Sequence, residues 1–545
     1  MTIYDVLGDA SNFVLDRTGV ELSVVLRDCI ALIIILWAGV LVFSWARGTY
    51  RLYFHPLRHF PGPRKAAQSD RWLYDRLVDG HPEEDFEKLH RDYSQSHLQS
   101  PPCYLYFLFD SADTSALFTE TKALRIAPNE LHINDTSLYK VVYRQSNPFL
   151  KHEQFYLGFF ATEPTVFTEV DVNKHRERRK MLNPMFSRSG VLQLEPLIRD
   201  KLKQLEAKID RLCERQVINV SDAMRLLTTN VIMEFSFCDT AGTMDEQPDG
   251  FGSHFLDALA IAVHAVSGFQ HYPWMMTLAR WTPPALAKAL SPPSGAMIDM
   301  AQFAADSVTG WRRRSEAERK DTKYPAILNR LETLTHREMV AENLDFLVAG
   351  ADTTACSLTV TFLEVITHPE IRDKLVSELD AAMQDADTLL PVQQLEKLPY
   401  LSACIKEGLR FTSAVPSRLP RVVPDNKLDP FLVDGQIVPP GTIVSISAYT
   451  MHNSYDIWGP DARAFSPDRW LRPNVQSLEQ YLCPFSKGAR MCIGQNLVPV
   501  EMALTLASLF RKYEIGLLEG FVPPRRVDCF TLELEGGLPL KFRRR

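Results

Sequence analysis

With 545 residues, 46% of them hydrophobic and 23% charged, the chain has the material for one large domain or several small ones. A net charge of −7 leaves no basic footprint for a nucleic-acid partner, and none is expected. Nine cysteines, an odd number without short regular spacing, do not read as a disulfide framework; reduced thiols facing the cytosol are expected.

The first segment, 1–23, is an acidic tail carrying Asp5, Asp9, Asp16 and Glu21 against Arg17. Val24, Val25 and Leu26 then lead into CIALIIILWAGVLVFSWA, an uncharged run from Cys29 to Ala46. A bilayer-spanning helix needs roughly 17–25 residues. A signal peptide has a shorter apolar region ending in a small-residue cleavage site. Here Trp37 and Trp45 are followed instead by Arg47, Arg51, Arg58, Arg64 and Lys65, and this basic flank places the remainder of the chain in the cytoplasm. The expectation is a lumenal tail at 1–23, a single transmembrane anchor at 24–46, a basic, proline-rich hinge at 47–65 and one body at 66–545. Within the hinge, FHPLRHFPGPR (54–64) cannot continue a helix.

The body reads as mainly α with small β-sheets. Helical periodicity marks 196–213, 251–266, 296–318, 335–367, 369–385 and 495–512. Strand-like runs are shorter: Tyr104–Phe109, Leu131–Ile133, Leu419–Val423 and Ile443–Ile446. The apolar stretch GFQHYPWMMTLARW (268–281) suits either a membrane-leaning surface or a core helix. The helix from 335 starts on a capping box, Thr335 with Glu338, and meets no proline before Pro369. At about 32 residues and 1.5 Å per residue it spans ~48 Å, so its middle is deeply buried. That middle is AGADTT (349–354): a glycine, an aspartate and two threonines where such residues cost stability. A polar notch there is either back-bonded to the helix or functional. Further on, KEGLR gives Glu407 and Arg410 an i,i+3 spacing, which alone signifies only a weak surface pair.

Near the C-terminus stands PFSKGARMCIGQNLVPVEMAL (484–504). A cysteine entering a helix N-terminus has its thiolate favoured by unpaired N–H groups and by the dipole. Gly488 and Gly494 let the main chain approach a flat ligand, and Arg490 adds positive charge.

Through Phe485, Gly488, Arg490, Cys492 and Gly494 the chain resembles the cytochrome P-450 superfamily, whose haem-binding loop reads F-x-x-G-x-R-x-C-x-G. The resemblance implies the family's fold and haem b with Cys492 as axial thiolate, which favours O–O cleavage. It further implies that Phe485 packs beside the sulfur and that Arg490 pairs with a haem propionate. AGADTT resembles the family's helix over the haem. Gly350 then leaves room for oxygen and substrate, and Asp352 and Thr353 form the proton relay. Glu407, Arg410 and, from FSPDRW, Arg469 resemble the buried triad that holds the cysteine loop, a structural role. HRERRKMLNPMFS (175–187) has His175 where the family often has Trp, followed by Arg179; both are expected at the propionates, as is Arg421 of SRLPRVVP. Arg176, Arg178 and Lys180 read as a solvated basic face. Positions expected to face substrate are Phe346, Ala349, Val415, Pro416 and Phe530. The likeness extends from residue 54 to the C-terminus. Its wording is similar to enzymes of filamentous fungi, and the HRERRKMLNPMFS segment resembles membrane-bound fungal monooxygenases of terpenoid and other secondary metabolism, such as trichodiene oxygenase.

The implied activity is monooxygenation of a lipophilic small molecule of terpenoid or polyketide type at the endoplasmic reticulum membrane, with the catalytic domain cytosolic. Electrons come from NADPH through a separate flavoprotein reductase, since no flavin segment fits in the length. Two rivals remain: a haem-thiolate isomerase or dehydratase without oxygen insertion, and a non-catalytic haem-binding electron carrier. His152-Glu153 lacks the second histidine of a zinc protease, and Gly250-Phe251-Gly252 lacks the third glycine of a dinucleotide site.

Overall fold

The computed structural model describes residues 22–98, 121–159, 162–473 and 475–545. All but the end of the 1–23 tail, and the strand expected at Tyr104–Phe109, lie outside the described residues. The first helix, Leu22–Tyr53, continues past the boundary expected at residue 46 because no proline interrupts it before Pro56. The hinge is therefore helical through Tyr53 and turns at the short 3-10 helix Pro56–His59. Over Arg27–Tyr53 this helix is long and apolar enough to cross a membrane. Its side chains from Arg27 to Arg47 face outward, with Ile35 66% and Trp45 73% exposed. His336–Thr367 and Ile493–Lys512 match it in length and composition, but 78% and 72% of their apolar stretches are buried within the body, so these are core helices.

The other long helices among the described residues are Pro82–Leu98, Val172–Phe186, Glu195–Leu212, Val220–Phe237, His254–His271, Pro292–Arg313, Pro369–Ala382, Pro399–Thr412 and Leu497–Lys512. The central helix, His336–Thr367, starts on Thr335, whose side chain and that of Glu338 cap one another's backbone N–H groups. It packs on Val220–Phe237, Pro399–Thr412 and Leu497–Lys512; Phe362 stacks on Phe510 with ring centroids 4.9 Å apart. These faces interleave Leu, Val and Ile at helical spacing and form the main core.

A five-stranded sheet lies to one side, in the order Ala123–Ala127, Glu130–Ile133, Ile443–Ser445, Arg421–Val422, Leu150–Lys151. Only the pairing of Glu130–Ile133 with Ile443–Ser445 is parallel. The strand expected at Leu419–Val423 shrinks to Arg421–Val422, since Pro420 and Pro424 cannot donate to a ladder. A hairpin, Arg526–Cys529 with Thr531–Leu534, joins the body through Leu532 N–H donating to the carbonyl of Ala414 (2.9 Å).

Candidate functional site

The cysteine loop is a tight turn closed on itself. Cys492 N–H donates to the carbonyl of Phe485 (2.8 Å), and Met491 N–H to that of Gly488 (3.1 Å). Gly488 has φ +73°, and a Cβ there would lie 2.5 Å from the carbonyl oxygen of Tyr143 and 2.6 Å from the carbonyl carbon of Arg144, so only glycine fits. Gly494 is two residues beyond the sulfur, and a Cβ on it would stand 3.7 Å from Cys492 Sγ. Cys492 caps the short 3-10 helix Ile493–Asn496, which runs into Leu497–Lys512. Its side chain is exposed by area yet sits in a hollow surrounded by protein. Burial raises the thiol pKa, while a hydrogen bond to the Gly494 backbone and the nearby Arg179 guanidinium lower it. A cation replacing that burial cost would favour the thiolate.

Cations crowd this hollow. His175 and Arg179 are one turn apart on Val172–Phe186, and Arg179 donates to the carbonyl of Met491, the residue before the cysteine. Arg490 donates to the carbonyls of Glu169 (2.7 Å) and Val170 (2.8 Å). Arg421 donates to the carbonyl of Phe149 (3.2 Å), and its Nε has no hydrogen-bond partner among the described residues. Lys151, strand partner of Arg421, is buried and donates to the carbonyl of Phe167. The partners of all four side chains are carbonyl oxygens, not carboxylates. Burial, then mutual repulsion, push Arg490 down to about 10, His175 to about 3 and Lys151 well below the usual lysine range. The nearby carboxylates are committed elsewhere. Asp345 accepts from Thr165 (2.6 Å) and is raised to about 6 by burial; Asp171 caps the backbone at Asn173 and Lys174. Sequence reasoning missed Lys151, a single lysine in a two-residue strand, because only strand pairing brings it beside Arg421.

On the central helix, Ala349 is exposed between the fully buried Leu347 and Ala351. Thr353 lies one turn on, and its hydroxyl donates to the Ala349 carbonyl (2.8 Å). The notch is thus back-bonded, with its hydroxyl at the open face. Asp352 points elsewhere. It is 5% exposed and accepts from Arg225 Nε (2.8 Å), and with Arg225, Asn219, Asp222 and Glu533 it lines a separate cavity of about 160 Å³. Two expectations on this helix are corrected. A Cβ on Gly350 would meet Ile232 Cγ1 at 2.7 Å, so its missing side chain serves close packing on Val220–Phe237 rather than leaving open room. Phe346 is 6% exposed and stacks on Phe186 at 5.4 Å, within the core.

Phe530, at φ +79° on the hairpin tip, has its ring 4.6 Å from Phe159 and 6.3 and 6.4 Å from Phe155 and Phe167. Lys151 Nζ lies 4.9 Å from the Phe167 centroid, which ties this aromatic cluster to the cations. Val415 is half-buried. Pro416 lines a different cavity, about 190 Å³, whose wall includes His81, Tyr449 and Arg463 and no cysteine-loop residue.

Glu407, Arg410 and Arg469 meet in one buried network, each 0–1% exposed. Arg410 donates twice to the Glu407 carboxylate (3.0 and 2.8 Å), Arg469 once (3.0 Å), and Trp470 Nε1 once (2.8 Å). Arg410 also donates to the carbonyls of His452 and Ala462, both at 2.7 Å. His452, unnoticed in the sequence, accepts Cys483 N–H at 2.9 Å and so ties this network to the segment leading into Phe485. The solvated basic face is corrected at Arg178, which is partly buried and pairs with Glu338 (2.8 Å) and Glu342 (3.0 Å) of the central helix.

The family described as Cytochrome P450 matches residues 130–531. The N-acetyltryptophan 6-hydroxylase of Emericella nidulans is 30% identical over 502 residues, covering 88% of this chain and 91% of its own. The tryptophan 6-hydroxylase of Fusarium equiseti is 29% identical over 479 residues, 86% of this chain and 87% of its own. Among solved structures, the cytochrome P450DA haem domain superposes with a TM-score of 0.70 at 18% identity, over 89% of this chain and 98% of that one.

Proposed function

Since the chain belongs to the cytochrome P450 family and is a monooxygenase, we propose that Cys492 gives its thiolate to the iron of haem b and that the substrate is a lipophilic secondary metabolite carrying an aromatic ring. The observation that carries this reading is the cation cluster around the cysteine hollow, whose hydrogen bonds among the described residues go to carbonyls and not to carboxylates. A flat group bearing two carboxylates would complete it, and guanidinium groups match carboxylates in shape and charge. Lys151, His175, Arg179, Arg421 and Arg490 would hold those carboxylates, with Gly488 and Gly494 admitting the backbone closely. When bound, haem supplies reductive activation of O2, one oxygen atom going to the substrate and the other to water. Thr353 presents a hydroxyl at the open face and would hand over protons there; Asp352, held by Arg225 in the separate cavity, does not touch that hydroxyl and would serve the relay only from that side.

The rings of Phe155, Phe167 and Phe530, each edge-to-face with Phe159, favour a planar aromatic guest over a saturated one. Two relatives are named for hydroxylation of tryptophan or its N-acetyl derivative, which supports an indole-sized ring. Electrons come from NADPH through a separate flavoprotein reductase. The anchor holds the enzyme in the endoplasmic reticulum membrane with its body in the cytosol, given the basic residues on the body side of the span. The helix Pro273–Trp281 adds a second membrane contact, since Trp274 is 63% and Trp281 82% exposed.

The test is turnover of full-length protein in microsomes with a reductase, over indole, terpenoid and polyketide compounds. Expected is an indole product containing one atom from labelled O2, formed with NADPH consumption. Product formed without NADPH, or Cys492→Ala retaining both haem and turnover, overturns the reading.

A further inference from the structure

The face of the hairpin opposite its aromatic tip carries a second group of ligating side chains, away from Cys492. Register pairs Cys529 with Thr531 and Val527 with Glu533, so Cys529 and Glu533 share one face of the two-stranded ribbon as diagonal neighbours. The helix His254–His271 packs across that face and brings His264 to it. His264 Nε2 lies 3.3 Å from Cys529 Sγ and 3.8 Å from Glu533 Oε2, and all three ligand atoms fall within 4.8 Å of one another.

We propose that His264, Cys529 and Glu533 form a zinc(II) site that fastens the hairpin to this helix. Three observations point the same way. A tetrahedral zinc with its usual bonds to nitrogen, sulfur and oxygen separates its ligand atoms by about 3.3–3.6 Å, close to the two distances found. The tautomer of His264 is already set: Nδ1 lies 2.8 Å from the carbonyl of Ala260, which only accepts, so Nδ1 carries the proton and Nε2 turns its lone pair toward the sulfur. That orienting bond from the far ring nitrogen to a backbone carbonyl is typical of metal-bound histidine. Finally, the donor set of one imidazole, one thiolate and one carboxylate neutralises a divalent cation and suits zinc rather than calcium or magnesium. On binding, Cys529 releases its thiol proton to solvent, Glu533 binds as the carboxylate, and water takes the fourth position. No electron is transferred. The hairpin that bears Phe530 is then clamped to its neighbouring helix.

The rival is a plain S–H···N hydrogen bond between Cys529 and His264, and alkylation separates the two. Haem-loaded, full-length protein is stripped with a chelator, then treated with iodoacetamide with and without equimolar zinc chloride, and labelling of Cys529 is read by peptide mapping. Zinc is expected to slow Cys529 labelling at least tenfold in the wild type and to do nothing in His264→Ala or Glu533→Gln, while labelling of Cys213 stays constant. Zinc retained after gel filtration is expected to be one equivalent higher in the wild type than in Cys529→Ser. Haem content of each variant reports that it has folded. Equal labelling with and without zinc, or equal zinc content in wild type and Cys529→Ser, overturns the site.

Discussion

Two sets of buried cations flank the cysteine loop, and the chain treats them in opposite ways. Around Glu407, the guanidinium groups of Arg410 and Arg469 share one carboxylate, Arg469 meets a second at Asp461 (3.4 Å), and carbonyls from 452 to 464 take remaining donors. Around Cys492, Lys151, Arg179, Arg421 and Arg490 have carbonyls alone among the described residues, and His175 is held neutral among them. The first set is electrostatically complete without any ligand. The second is a standing cost in the ligand-free protein and becomes favourable once an anionic group enters. Buried arginine by itself therefore says nothing about function; the missing counter-charge does.

The largest effect that would break this comparison is on the complete set. Glu407→Ala strands the buried guanidinium of Arg410 and leaves Arg469 only Asp461, and a loss of about 3–5 kcal/mol is expected, seen as collapse of soluble yield and of the urea midpoint. Wild-type stability in that variant would mean the network contributes nothing. The incomplete set is expected to behave the other way. Arg490→Met removes an unneutralised charge, so the haem-free protein should be as stable as wild type or more so. Haem affinity should nonetheless fall on the order of 10–100-fold in a titration, the value of one charge-assisted hydrogen bond. A variant equally weakened in both measurements would erase the distinction.

Between the two sets, Thr353→Ala should leave stability and haem affinity unchanged. Product per NADPH should drop about tenfold as peroxide is released, less than the full worth of a proton-transfer group because water substitutes in part. The smallest effect concerns pH. His175 titrates at about 3 in the folded chain, because burial and the surrounding cations oppose its charge, against 6.5 when unfolded. The unfolded state binds the extra proton between those values. Stability of the haem-free protein is thus fully present above pH 6.5 and lost as pH falls toward 3. His175→Asn should make the acid side of the stability curve shallower over that window in thermal melts; an unchanged curve would place His175 outside the cation cluster.

Much of the fold was legible because its signals are local. The capping box at Thr335 and Glu338 fixed the start of the central helix, and its lack of proline fixed the length. Gly488 of the cysteine loop acts at the same short range, since a turn at φ +73° needs its glycine whatever surrounds it. Failures came where a residue's meaning depends on its neighbour across space. Gly350 and Phe346 lie in the right helix, yet the faces they occupy belong to Ile232 and Phe186. Arg178 looked solvated until Glu338 and Glu342 were brought to it. Lys151 gave no signal, because one lysine in a two-residue strand has no period to read.

The order of residues alone determined the apolar N-terminal helix, the helix-dominated body and the loop that presents Cys492, because hydrophobic run length, capping chemistry and glycine conformation act within a few residues of chain. Only the tertiary structure decided which buried charges are paired and which are left waiting. That balance is a sum over groups hundreds of residues apart, and burial makes each missing partner costly in a way no local stretch of sequence can express.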